Sequence, residues 1–190
     1  MTKQEWLTSK NLELMLNQVE SERKKRLFAC ACVRRVWDKL SEECKKAIEV
    51  SELFADGKAT EQELFKAKRK TTRPNTVPNA AYYTALQHPS MPHSAAFWTI
   101  QVITNRKQER IEQLKLLREI VNPFQQPIQT NTNIIGIATE IYETQNFTLF
   151  PVLHDALMDF NCTNQTILNH CFEPVHVRGC WLIDLLLLLN

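Results

Sequence analysis

A chain of 190 residues with 44% hydrophobic and 23% charged residues has ordinary globular composition, which excludes wholesale disorder and leaves room for one buried core. Only three glycines are present, too few for the many tight turns of an all-β sandwich or barrel, so an all-α fold is predicted. The net charge of +2 advertises no global basic field, but residues 1–120 carry 22 Lys/Arg against 15 Asp/Glu, while residues 121–190 carry one base and six acids.

Trp6 and Leu7 open a short amphipathic segment, and a second covers residues 12–19. Ser21 is a predicted N-cap for a helix over 22–40, with Leu27, Cys30, Ala31, Val33, Trp37 and Leu40 on one broad face. Ser41 caps the next helix, which ends at Asp56-Gly57. Thr60 and Glu63 form a capping-box pattern ahead of a basic helix reaching about residue 70. Residues 71–93 hold Pro74, Pro78, Pro89 and Pro92 and read as a hinge between subdomains 1–70 and 94–190, with only 80–87 locally helical. One long helix is predicted over 94–121, with Phe97, Ile100, Ile103, Ile111, Leu114 and Leu117 as its spine. Asn122-Pro123 stops it. Further helices are predicted near 133–143, 149–160, 163–170 and 178–189, making about eight in a single helical domain. The predicted core joins Leu27, Trp37, Ile48, Phe54, Phe97, Ile103, Leu114, Leu117, Ile141, Leu153, Leu157, Trp181 and Leu185.

The start of the chain lacks the apolar core of a secretory signal, and the run 181–189 is too short to span a bilayer. A cytoplasmic chain off the membrane is therefore expected, with its six cysteines reduced or metal-bound rather than paired as disulfides.

Two ends of the sequence carry a resemblance. The first is Glu5-Trp6-Leu7 followed by Arg23-Lys24-Lys25-Arg26-Leu27-Phe28-Ala29-Cys30-Ala31-Cys32, Arg34-Arg35 and Trp37. The second runs in order through Leu116-Leu117-Arg118-Glu119-Ile120, Asn122-Pro123-Phe124, Ile141-Tyr142, Pro151-Val152-Leu153, Asp155-Ala156-Leu157, Ile167-Leu168-Asn169-His170-Cys171 and His176-Val177-Arg178-Gly179-Cys180-Trp181, before Asp184-Leu185. Together they resemble a bacterial, chiefly planctomycete, family without an established activity. That family typically has a third Cys where this chain has Val33, and often an Ala-, Arg- and Trp-rich central insert missing here. A metal site built on that third Cys does not carry over. The resemblance implies element boundaries and no chemistry.

Three constellations could carry function. Cys162, Cys171, His176 and Cys180, with His170 nearby, offer zinc-type ligands at usable gaps but no Cys-x-x-Cys knuckle. They read either as a structural zinc site or as thiols packed in the core, with no other cofactor expected. His176, Cys180 and Asp184 are each four residues apart, which on one continuous helix would align a thiol, an imidazole and a carboxylate. Against catalysis, His176 falls before the predicted helix, and Asp184 reads as a buried carboxylate paired with Arg178. Finally, Lys66, Lys68, Arg69, Lys70 and Arg73 place five bases within eight residues, with Tyr82-Tyr83 close by and Arg23 to Arg26 and Arg34-Arg35 as a second cluster. Clustered bases beside aromatic rings suit phosphate contacts and base stacking. No Gly-rich phosphate loop, Gly-x-Ser-x-Gly or His-Glu-x-x-His motif occurs. The sequence thus points to a non-catalytic helical interaction module or accessory subunit with a protein partner. Nucleic-acid binding through 66–73 is the alternative.

Overall fold

The computed structural model describes residues 1–71, 76–85 and 91–189. Among these residues it contains twelve α-helices, two short 3-10 turns and no strand. Two compact units emerge, Met1–Arg118 and Glu119–Asn190.

The first unit holds α1 (Lys3–Thr8), α2 (Leu12–Leu16), α3 (Glu22–Arg34), α4 (Glu42–Ala55), α5 (Glu61–Lys70), α6 (Thr76–Thr84), α7 (Met91–Val102) and most of α8 (Arg106–Ile120). The caps follow from the side chains. The oxygens of Ser21, Ser41 and Thr60 accept the amides of Lys24, Cys44 and Glu63, and Glu63 returns a bond to Thr60. Gly57 follows α4 at φ 68°, a left-handed conformation that glycine adopts without penalty. Small residues let α3, α6 and α7 approach closely: Ala29 and Cys30 meet Ala80, Ala81 and Ala95 in one cluster with Val33, Ile48 and Met91.

Three expectations change here. The predicted helix 94–121 is two helices, because the Asn105 side chain accepts the Gln108 amide and starts α8 afresh. Lys39 Nζ meanwhile satisfies the Val102 carbonyl near the end of α7 at 2.8 Å. Phe97 is not core but 55% exposed, since α7 turns Met91, Pro92, Ala95, Ala96, Thr99 and Ile100 inward. Pro92 lies in the first turn of α7, where its missing N–H costs nothing. Third, α6 begins at Thr76 rather than at residue 80. Pro74, Pro89 and Gln87 lie outside the described residues.

The second unit contains the last two residues of α8, α9 (Thr132–Thr144), α10 (Phe150–Asp159), α11 (Gln165–His170) and α12 (Trp181–Leu187). Its core is Ile134, Ala138, Ile141, Phe150, Leu153, Leu157, Ile167, Leu168, Trp181, Leu182 and Leu186. Among the described residues no helix is long and apolar enough to cross a membrane.

Candidate metal centre

The residues 171–180 join α11 to α12 as a loop without regular structure, and this loop brings two of the predicted ligands back to the end of α11. Gly179 sits at φ 86°, and the Cys180 amide donates to the Val177 carbonyl at 3.0 Å. A turn with a positive-φ third residue calls for glycine, and it swings the chain so that Cys180 becomes the N-cap residue of α12. His170 closes α11. Glu119 stands on the last turn of α8.

These four residues converge. One donor atom from each of Glu119, His170, His176 and Cys180 lies within 4.8 Å of every other. His170 Nε2 is 3.1 Å from Cys180 Sγ and 3.5 Å from Glu119 Oε2, and His176 Nδ1 is 3.0 Å from Glu119 Oε1. A tetrahedron built on zinc's ordinary bonds to nitrogen, oxygen and sulfur has edges of roughly 3.3–3.7 Å, so the donors stand close to a zinc ligand set. The side chains of His170, His176 and Glu119 are 8%, 5% and 7% exposed, and Cys180 is 1% exposed. Every member is therefore screened from water.

Aromatic rings build the walls. Phe150 stacks on His176 with centroids 3.5 Å apart and planes 7° from parallel, and Trp181 packs on His170 at 4.6 Å. His176 Nε2 is buried without a hydrogen-bond partner, so Phe150, rather than an outer acceptor, sets the orientation of that ring.

Burial governs the electrostatics. Desolvation pushes the Glu119 carboxyl above its usual range, against the pull of His176. It also drives the Cys180 thiol well up, helped by Glu119, while the amides of Ile183 and Leu182 pull the other way. His170 is pushed down to about 3, first by desolvation and then by the neighbouring His176. All three shifts favour the neutral form, as a dry pocket must. A dication held by one carboxylate, one thiolate and two imidazoles is likewise neutral, so it replaces two acidic protons without burying net charge.

Of the four ligands predicted from sequence, the structure unites only His176 and Cys180. Cys171 follows His170 by one residue and so points elsewhere, its thiol donating to the Ile167 carbonyl at 3.6 Å within the apolar core. Cys162 packs against the same core, half-buried. His170 and Glu119 take their places. Glu119 lies 51 positions before His170, beyond any local ligand spacing, and its one sequence signal is an acid set among Leu116, Leu117 and Ile120, all buried.

The aligned His176–Cys180–Asp184 arrangement does not form. Helix α12 starts at Trp181, leaving His176 in the loop, and the raised Cys180 thiol is the reverse of an activated nucleophile.

The basic residues divide. Arg23 pairs with Asp56 at 2.8 Å, and Arg34 Nη2 meets Glu52 at 2.7 Å. Arg35 Nε meets both oxygens of Glu109 at 2.8 and 3.0 Å, and buried Arg26 donates to the Thr84 carbonyl at 2.6 Å. This second cluster is built into the fold. By contrast Lys66, Arg69 and Lys70 are exposed and Lys68 half-exposed on α5, while Arg73 lies outside the described residues.

Comparison of the chain with protein-family models, with curated proteins and with solved structures returns no match.

Proposed function

We propose that this chain is a non-catalytic helical binding module whose second unit is held together by one zinc ion on Glu119, His170, His176 and Cys180. The observation that carries it is the convergence of four zinc-type donors, from three separate stretches of chain, within 4.8 Å in a buried pocket. Catalytic zinc sites keep one position open to water or substrate, whereas four closed protein ligands are the pattern of structural zinc. Zinc suits the mixed N, O and S donor set better than calcium or magnesium, which take oxygen ligands. All four ligands fall within the segments that carry the resemblance described above. With no activated nucleophile at the site, the chain works by binding, as an accessory subunit to a protein partner.

The test is elemental analysis and native mass spectrometry of the full chain produced with zinc present. One zinc per chain is expected, retained by Cys162→Ser and Cys171→Ser and lost by Glu119→Gln and Cys180→Ser. Cobalt added to the metal-free wild type should give a thiolate-to-cobalt charge-transfer band, which needs no variant to fold. Metal-free protein without that band overturns the reading, as does zinc that survives Cys180→Ser.

A further inference from the structure

The first unit presents a surface of different chemistry, independent of the metal centre. Helix α5 packs through Leu64 and Ala67 and turns the rest of its second half outward. On that outward side Phe65 is 54% exposed, no more than Phe97 on α7, but here the ring lies among cations. The ammonium of Lys68 lies 5.5 Å from the Phe65 ring centroid and 5.5 Å from that of Tyr82 on α6. The Arg69 guanidinium stands 5.9 Å from Phe65. Lys66 and Lys70 flank the group in solvent.

Two ordinary explanations account for only part of this. Cations in the last turn of a helix are favoured by its dipole, which covers Lys68, Arg69 and Lys70 but not an exposed Phe65 among them. Lysines also serve in local ion pairs, as Lys25, Lys45, Lys46 and Lys115 do with Glu22, Glu42, Glu49 and Glu112. Among the described residues Lys66, Lys68 and Lys70 make no such pair. The acids of the same helix, Glu61 and Glu63, lie in its first turn, where Glu63 is engaged by Thr60 and only weakly favoured by the charge of Lys66.

We infer that the α5 face formed by Phe65, Lys66, Lys68, Arg69 and Lys70, with Tyr82 beside it, binds single-stranded nucleic acid. The two ring centroids are no further than about 11 Å apart, the sum of the two 5.5 Å reaches from Lys68, so neighbouring unpaired bases could stack on both by taking the place of the Lys68 ammonium. Lys66, Arg69 and Lys70 then meet the phosphates around them. In a duplex the base faces are covered by stacking between adjacent base pairs, so a duplex would engage the cations but not the rings. An anionic membrane would reward several exposed apolar side chains on this face rather than a single Phe beside a tyrosine.

The experiment is fluorescence anisotropy of the full chain with a labelled mixed-sequence single strand, as DNA and as RNA, over a range of salt. Binding should weaken steeply with salt, and the combined Lys66→Glu, Arg69→Glu and Lys70→Glu variant should abolish it. These three positions are exposed, so the variant should keep wild-type circular dichroism. Phe65→Ala should weaken binding about five- to hundred-fold while leaving the salt slope unchanged, the signature of lost stacking rather than lost charge. Absence of binding at low salt overturns the inference. So does binding indifferent to both variants, equal affinity for duplex with Phe65→Ala silent, or binding confined to phosphatidylserine-containing vesicles.

Discussion

Removing the proposed zinc should cost the protein a defined amount of stability. Glu119 and His170 are 51 positions apart in sequence, so the unfolded chain does not hold the ligand set and the ion binds essentially the folded state alone. For such a ligand at a free concentration a thousandfold above its dissociation constant, the stabilisation is about 4 kcal/mol. In a chain of 190 residues each kcal/mol moves the melting temperature by about 2–4 °C, so full chelation should lower it by about 8–16 °C. The assay is thermal unfolding of the full chain by circular dichroism before chelation, after it, and after zinc is restored. Trp181 adds a local reporter, because its ring is 4.6 Å from His170 and it is the one tryptophan in Glu119–Asn190. Its emission should change with the metal while the overall helical signal at low temperature is largely kept. A melting temperature unmoved by stripping stoichiometric zinc would refute the assignment of the ion to this buried site.

Arg35→Met should destabilise the chain by about 1–3 kcal/mol in urea unfolding, since it strips the main partner from Glu109, which is 1% exposed and keeps only Gln113 among the described residues. Burial already raises the Glu109 carboxyl above its ordinary range, so the folded variant takes up a proton before the unfolded chain does. Its stability should therefore rise as pH falls towards the acid range and drop again above the raised pKa, and Glu109→Met in the same chain should recover most of the loss. A second forecast concerns the thiols. Burial pushes Cys30 and Cys171 to about 12 and Cys32 and Cys180 well above their usual value, while Cys162 is the partly exposed one. Alkylation of the folded protein at neutral pH, mapped by peptide mass spectrometry, should mark Cys162 first; early labelling of Cys180 would contradict the closed pocket.

Local features were legible in the sequence because local chemistry makes them. Ser21, Ser41 and the Thr60/Glu63 pair cap helices through contacts three residues away, and all three appear where their spacing places them. Scarce glycine and periodic apolar residues were enough for the all-α class. Periodicity misled at Phe97, because close packing of α3, α6 and α7 turns small alanines inward and leaves the larger ring outside. The candidate metal centre divides along the same line. His176, Gly179 and Cys180 are joined by one turn, so their proximity is written in consecutive residues. Glu119 reaches His170 and His176 only once the second unit has folded, and Cys171 is turned aside by a single helical step from His170. Which donors meet depends on directions of side chains set by the whole second unit, and no spacing within the chain records those directions.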